Sequence, residues 1–153
     1  MIAAVGRLRA SPEAALCADY MQRAQLAGRG IGLYPFELRE VEARMAGDRE
    51  READLLLAAL PSGARLVLLD ERGESWPSHT LANKLARWRD DGCPAAAFLI
   101  GGPDGHSPAL RNSTTDLLAF GAQTWPHRLV RVMLAEQLYR AVTILGNTPY
   151  HRQ

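Results

Sequence analysis

Two stretches of this 153-residue chain hold residues whose types and spacing could do chemistry. The first is FLIGGPDGHS, running from Phe98 to Ser107. Phe98, Leu99 and Ile100 form a short apolar run that stops at glycine, the pattern of a buried strand feeding a tight turn. Gly101, Gly102 and Gly105 carry no Cβ, so a ligand can lie against bare backbone there. Turns of this kind bind cofactors at the carboxyl ends of parallel strands, although a plain strand-to-helix turn is written with the same letters. His106 and Ser107 follow; they could line a substrate, while Ser107 ahead of Pro108 also suits a helix cap.

The second stretch runs from Thr124 to Arg140 and continues in the closing residues Tyr150, His151 and Arg152. His127 sits where a long helix begins, placed to act as a general base or simply to pack. Arg140 can hold an anion or pair with Glu136, one helical turn earlier. Tyr150 offers a stacking face, and His151 and Arg152 can reach phosphates or a reacting edge; the bland alternative is a frayed tail.

Several chemistries are disfavoured by spacing. The glycine turn is not GxGxxG and no acidic residue follows at the dinucleotide-binding interval. No GK[ST] follows it, so it is not a phosphate-binding P-loop. His79, His106, His127 and His151 show no HExxH or HxxxH arrangement, which leaves zinc without a ligand set. Cys17 and Cys93 lie far apart with no CxxC partner and read as reduced thiols.

With 47% apolar and 23% charged residues, the composition is that of a soluble globular protein. A net charge of +1 argues against holding nucleic acid by bulk electrostatics. The charge is uneven, however. Beyond Gly105 there are Arg111, Arg128, Arg131, Arg140 and Arg152 against Asp116 and Glu136, so an anionic partner should meet the C-terminal third. The first residues, MIAAVGRLRA, lack the basic start of a signal peptide and no run is long enough to span a bilayer, making the cytoplasm the expected compartment.

The elements that must position these residues alternate. Apolar runs predict strands over Ile2–Leu8, Leu33–Val41, Arg65–Asp70, Ala95–Ile100 and Leu117–Phe120. Ser11 and Pro12 should open a helix that runs to Gly28, and Asp48 one that ends near Leu60. A third helix is expected from Pro77 or Ser78 to Gly92, stacking Leu81, Leu85 and Trp88. Thr124 should cap a fourth, running to about Leu145. Strands alternating with helices imply one α/β domain with a largely parallel sheet. The last helix is apolar around most of its circumference, which predicts a second copy of the chain packed against it in a two-fold dimer.

IGGPDGHS, then TWPHRLVRVMLAEQLYRA and a terminal PYHR, together resemble the bacterial RlmH family; Leu66–Gly73 extends the likeness upstream. Those are ribosomal large-subunit methyltransferases acting on N3 of a pseudouridine, within the SPOUT (trefoil-knot) superfamily. The resemblance covers about the last 90 residues closely. It implies a knotted α/β fold, which no topology rule would lead one to expect. It further implies S-adenosylmethionine held by the strand end at Leu69, the turn at Gly101 and Gly102, and the segment Phe120, Gly121, Ala122, Gln123, Thr124 and Trp125. His127, Arg140, Tyr150, His151 and Arg152 become the expected catalytic or substrate-binding set, and no metal is implied. The implied target is helix 69 of 23S rRNA in the assembled 70S ribosome. Methylation of another RNA such as tRNA, or cofactor binding without catalysis, are the competing readings.

Overall fold

The computed structural model describes every residue except Arg44, Ala46, Thr115, Arg152 and Gln153. Strands β1 (Ile2–Val5), β2 (Leu38–Val41), β3 (Arg65–Glu74), β4 (Ala96–Ile100) and β5 (Leu117–Leu118) form one sheet. Its order is β2-β1-β4-β3-β5 and all named pairings are parallel. Helices α1 (Pro12–Gly28), α2 (Arg49–Ala58), α3 (Ser78–Asp90), α4 (Pro108–Asn112) and α5 (His127–Leu145) connect and cover it. The α/β class and parallel sheet expected from the alternation are therefore what the chain adopts.

Local chemistry explains the boundaries. Ser11 accepts the Ala14 N–H and Pro12 fills the first turn of α1. Asp48 caps α2 by accepting the Arg51 N–H. Strand side chains alternate between two cores, as the two-residue period requires. Ile2, Ala4, Val67, Phe98 and Ile100 pack beneath α1, α3 and α5. Ala3, Val5, Leu68, Ala97 and Leu99 face α2 and α4 on the other side.

The first two strands are shorter than expected, ending at Val5 rather than Leu8 and starting at Leu38 rather than Leu33, and two further details depart from the sequence reading. Thr124 does not cap the last helix; Pro126 occupies the cap position and the Thr124 hydroxyl donates to Glu71 instead. Strand β3 continues past Asp70 to Glu74, because that segment doubles back over β5. Leu118 partners Leu69 on one side and Glu74 on the other, and the Ala119 N–H reaches the Glu74 carbonyl at 3.0 Å. Gly73 permits this arch, since a Cβ there would stand 2.6 Å from the Leu117 backbone.

Helix α5 packs chiefly between α1 and α3. One residue it buries is charged. Arg131 is wholly inaccessible, its guanidinium 2.7 Å from Glu40 and also donating to the Val5 carbonyl. Gly6, with φ of 80°, sits beside that guanidinium. No helix among the described residues is long and apolar enough to cross a membrane.

Candidate active site

Register places the carboxyl ends of three adjacent strands level with one another: Leu69 pairs with Ile100 on one side and Leu118 on the other. A cleft of about 380 Å³ opens at that edge. This lies within the range of roughly 300–1,000 Å³ typical of small-molecule sites. Leu69, Ile100, Leu118 and Phe120 supply its apolar wall.

The glycine turn forms its floor. Gly105 donates to the Gly102 carbonyl at 3.0 Å, closing the loop that holds Pro103 and Asp104. A Cβ on Gly101 would meet the Gly105 backbone at 2.9 Å, and one on Gly102 would meet the Glu52 carboxylate at 2.8 Å. Both glycines are thus required by close approach from behind, which leaves their open side to the cleft. Glu52 is itself buried at 4% exposure, with Oε2 lacking a hydrogen-bond partner among the described residues. Burial raises its pKa; the Gly102 and Gly47 N–H groups oppose the rise, and Asp104 and Asp48 add to it.

The third wall is the segment after β5. Gly121, Gln123, Thr124, Trp125 and His127 all border the cleft, whereas Ala122 is exposed and does not. The Trp125 indole N–H donates to the Phe120 carbonyl at 3.0 Å, folding the segment onto itself. Asp70, at the end of the apolar part of β3, is bonded to Arg111 at 2.9 Å. Burial pulls its carboxyl upward, but the Arg72 N–H and the Arg111 guanidinium outweigh that and hold it below the ordinary range. His127 titrates below its ordinary value, first because of burial, then because the Arg131 and Arg128 guanidinium groups disfavour a second cation. A neutral imidazole at the rim can accept a proton.

The remaining expected residues stand elsewhere. Arg140, Tyr150 and His151 do not border the cleft. They form a cluster near the other end of α5, about 20 Å along the helix axis from His127 at 1.5 Å per residue. Arg140 is paired with Glu136, as their spacing allows, and Tyr150 donates to the same carboxylate oxygen at 3.0 Å. Burial, then Tyr20 and Glu136, raise the Tyr150 phenol. His151 Nε2 meets His79 Nε2 at 3.0 Å, and Arg140 approaches His151 Nδ1 at 3.4 Å. A guanidinium only donates, so that contact requires a bare Nδ1 on His151, which leaves the hydrogen on Nε2 facing His79. Arg152 lies outside the described residues.

Sequence reasoning did not single out Arg49, Arg72, Arg111 or Glu52, although the first three line the cleft and Glu52 backs it. Arg111 and Glu52 meet Asp70 and Gly102, which are distant in sequence, and no local pattern marks Arg49 or Arg72. Among the described residues, no group of three or more His, Cys, Asp or Glu side chains could hold a metal ion.

Comparison with known proteins decides the family. A family model described as "Predicted SPOUT methyltransferase" matches residues 1–151. The chain belongs to that family. As a SPOUT methyltransferase it is a methyl-transfer enzyme. A "Ribosomal RNA large subunit methyltransferase H" of Dinoroseobacter shibae is 56% identical over 148 residues, covering 97% of this chain and 95% of the relative. The protein of the same description from Paracoccus denitrificans is 54% identical over 153 residues, covering 100% and 98%. A more remote likeness is the SpoU methyltransferase AviRb of Streptomyces viridochromogenes, crystallised with AdoMet. It has a TM-score of 0.43 and 16% identity; the match covers 97% of this chain but only 59% of that one.

Proposed function

We propose that this SPOUT methyltransferase transfers a methyl group from S-adenosylmethionine to N3 of a pseudouridine in helix 69 of 23S rRNA. The observation that carries the reading is the cleft at the ends of β3, β4 and β5, whose floor is the bare backbone of Gly101 and Gly102. The near full-length relatives bearing the large-subunit rRNA methyltransferase description support the substrate class.

The donor set suits the cofactor. Leu69, Leu118 and Phe120 offer walls for an adenine ring, and peptide N–H and C=O groups at Gly101 and along residues 120–125 can read its edge. Asp70, Glu71 and Asp104 put negative charge around a ligand that carries two cationic centres. Bound there, S-adenosylmethionine supplies a methyl group on a sulfonium, an electrophile that needs no activation by the protein.

The protein's work lies on the nucleophile. N3–H of a uracil ring is a weak acid, and His127, held neutral at the rim, accepts its proton. Arginine steadies the charge that spreads onto the flanking carbonyl oxygens. Arg140, Tyr150, His151 and Arg152 are the remaining candidates for gripping the substrate. In a single copy Arg140, with Tyr150 and His151 beside it, stands about 20 Å along the helix from His127, so a homodimer in which the tail of one copy meets the cleft of the other would bring both sets together. The arch of residues 69–74 around Leu117 and Leu118 fits the trefoil knot of the superfamily. Action on the assembled 70S ribosome in the cytoplasm completes the proposal and accords with the weak overall basicity.

The test is methyl transfer from radiolabelled S-adenosylmethionine to ribosomes lacking the modification, with separated subunits, free rRNA and tRNA alongside. Label mapped to one pseudouridine of 23S rRNA is the expected result. Label confined to tRNA would replace the substrate. Tight cofactor binding without label on any RNA would overturn the enzymatic reading.

A further inference from the structure

Trp125 is an exposed large aromatic at the outer rim of the cleft, 41% accessible, while the walls deeper in are formed by Leu69, Ile100 and Leu118. Its single polar atom is already used: the indole N–H is bonded to the Phe120 carbonyl. What remains for a ligand is the ring face, and that bond together with the Thr124–Glu71 contact keeps the segment in place. A rigid aromatic face with no free polar edge recognises a flat partner by stacking, whichever base it is.

Charge around the rim points the same way. Of the described arginines, Arg9, Arg29, Arg49, Arg72 and Arg128 have no carboxylate within ion-pair distance among the described residues. Arg49 and Arg72 line the cleft and are exposed, and Arg128 is exposed next to the cleft residue His127. Two of the five, Arg49 and Arg72, therefore stand at the cleft itself, where a polyanion would enter.

We propose that the indole face of Trp125 is the platform on which the target nucleobase stacks, and that Arg49 and Arg72 take the phosphates flanking it. The proposal rests on RNA methyl transfer at this cleft and assigns the Trp125 side chain to the RNA, leaving the cofactor to the backbone and the inner wall. A base lying on the ring is removed from its own stack and carried to the mouth beside His127, which a plain rim contact would not achieve.

The experiment compares wild type, Trp125→Ala and Trp125→Phe for S-adenosylmethionine affinity by calorimetry and for kcat/KM toward RNA at saturating cofactor. Loss of one stacked base weakens binding by about 5- to 150-fold. The Ala variant should lose kcat/KM by a factor in that range with cofactor affinity within about twofold, and the Phe variant should recover most of it. Arg49→Ala and Arg72→Ala should each flatten the dependence of log KM on log salt by roughly 0.7–0.9. Cofactor affinity falling by the same factor as activity would assign the indole to the cofactor and overturn the proposal. So would unchanged kinetics in Trp125→Ala, or a Phe variant as poor as the Ala variant. If wild type labels tRNA instead of 23S rRNA, the same ratios are read on tRNA and judge the platform separately. No label on any RNA overturns this proposal along with the function it rests on.

Discussion

Arg131 and Glu40 form an asymmetric pair, and the asymmetry makes a prediction. The arginine is completely buried, whereas the Glu40 side chain keeps 24% of its exposure and also accepts the Leu8 N–H at 2.9 Å. Replacing Glu40 by Ala leaves a guanidinium in the core with, among the described residues, only the Val5 carbonyl and no partner for Nε. Stranding a buried charge costs about 3–5 kcal/mol. Replacing Arg131 by Met removes the cation itself, fills much of the same space, and leaves a carboxylate that reaches water and keeps Leu8. That loss should be about 1–3 kcal/mol, the cost of the hydrogen bonds forgone. For a domain of this size 1 kcal/mol moves Tm by about 2–4 °C, so Glu40→Ala should lower Tm by about 6–20 °C and Arg131→Met by about half as much or less. Scanning calorimetry at neutral pH measures both. Because the pair is buried, added salt should leave the gap nearly intact. An Arg131→Met variant as damaged as Glu40→Ala would refute the reasoning, since the bulk of the side chain, not the stranded charge, would then be what matters.

Three further outcomes are expected. Gly101→Ala drives a Cβ to 2.9 Å from the Gly105 backbone, so the turn must open; overpacking of this kind costs about 1–3 kcal/mol, and titration calorimetry should show S-adenosylmethionine binding at least about tenfold weaker. Arg128→Gln removes one of the charges that lower the His127 pKa, so the acid limb of a kcat/KM pH profile should move to higher pH; a limb that stays put would take the proton-accepting role away from His127. His106 is buried at 3% exposure with its pKa lowered by burial, opposed by the Leu99 carbonyl, Asp70 and the Leu69 carbonyl. The unfolded chain therefore binds a proton that the folded one does not, and stability should fall as pH drops through the ordinary imidazole value; His106→Leu should flatten Tm against pH there.

The strands were legible because their apolar runs are continuous: Leu66–Leu69 and Ala96–Ile100 are wholly or partly buried against helices on both faces and show it in composition. Helix starts were legible where a local residue does the capping, as at Ser11 and Asp48. The glycine turn and the Leu69 and Phe120 walls were also visible in the sequence, aided by the resemblance. Contacts between distant residues were not. Residues 71–74 carry Glu, Arg, Gly and Glu and read as a loop, since the partner that makes them strand, Ala119, comes much later in the chain. Arg131 reads as one of the cations that would meet an anionic partner, because Glu40, which holds it in the core, lies 91 positions away. The Glu136–Arg140 pair was predictable from helical spacing, but the approach of His79 to His151 follows from how α3 and the tail meet.

Strand order has a consequence for synthesis. Strand β4 sits between β1 and β3, so the first strand made and the strand from mid-chain share no neighbour until Ala96–Ile100 leaves the ribosome. At about 5–20 residues per second, Ile2–Val5 waits on the order of ten seconds with the edge that β4 will cover still unpaired. Slowing translation before Ala96 should therefore lower the soluble yield, while slowing it after Ile100 should not.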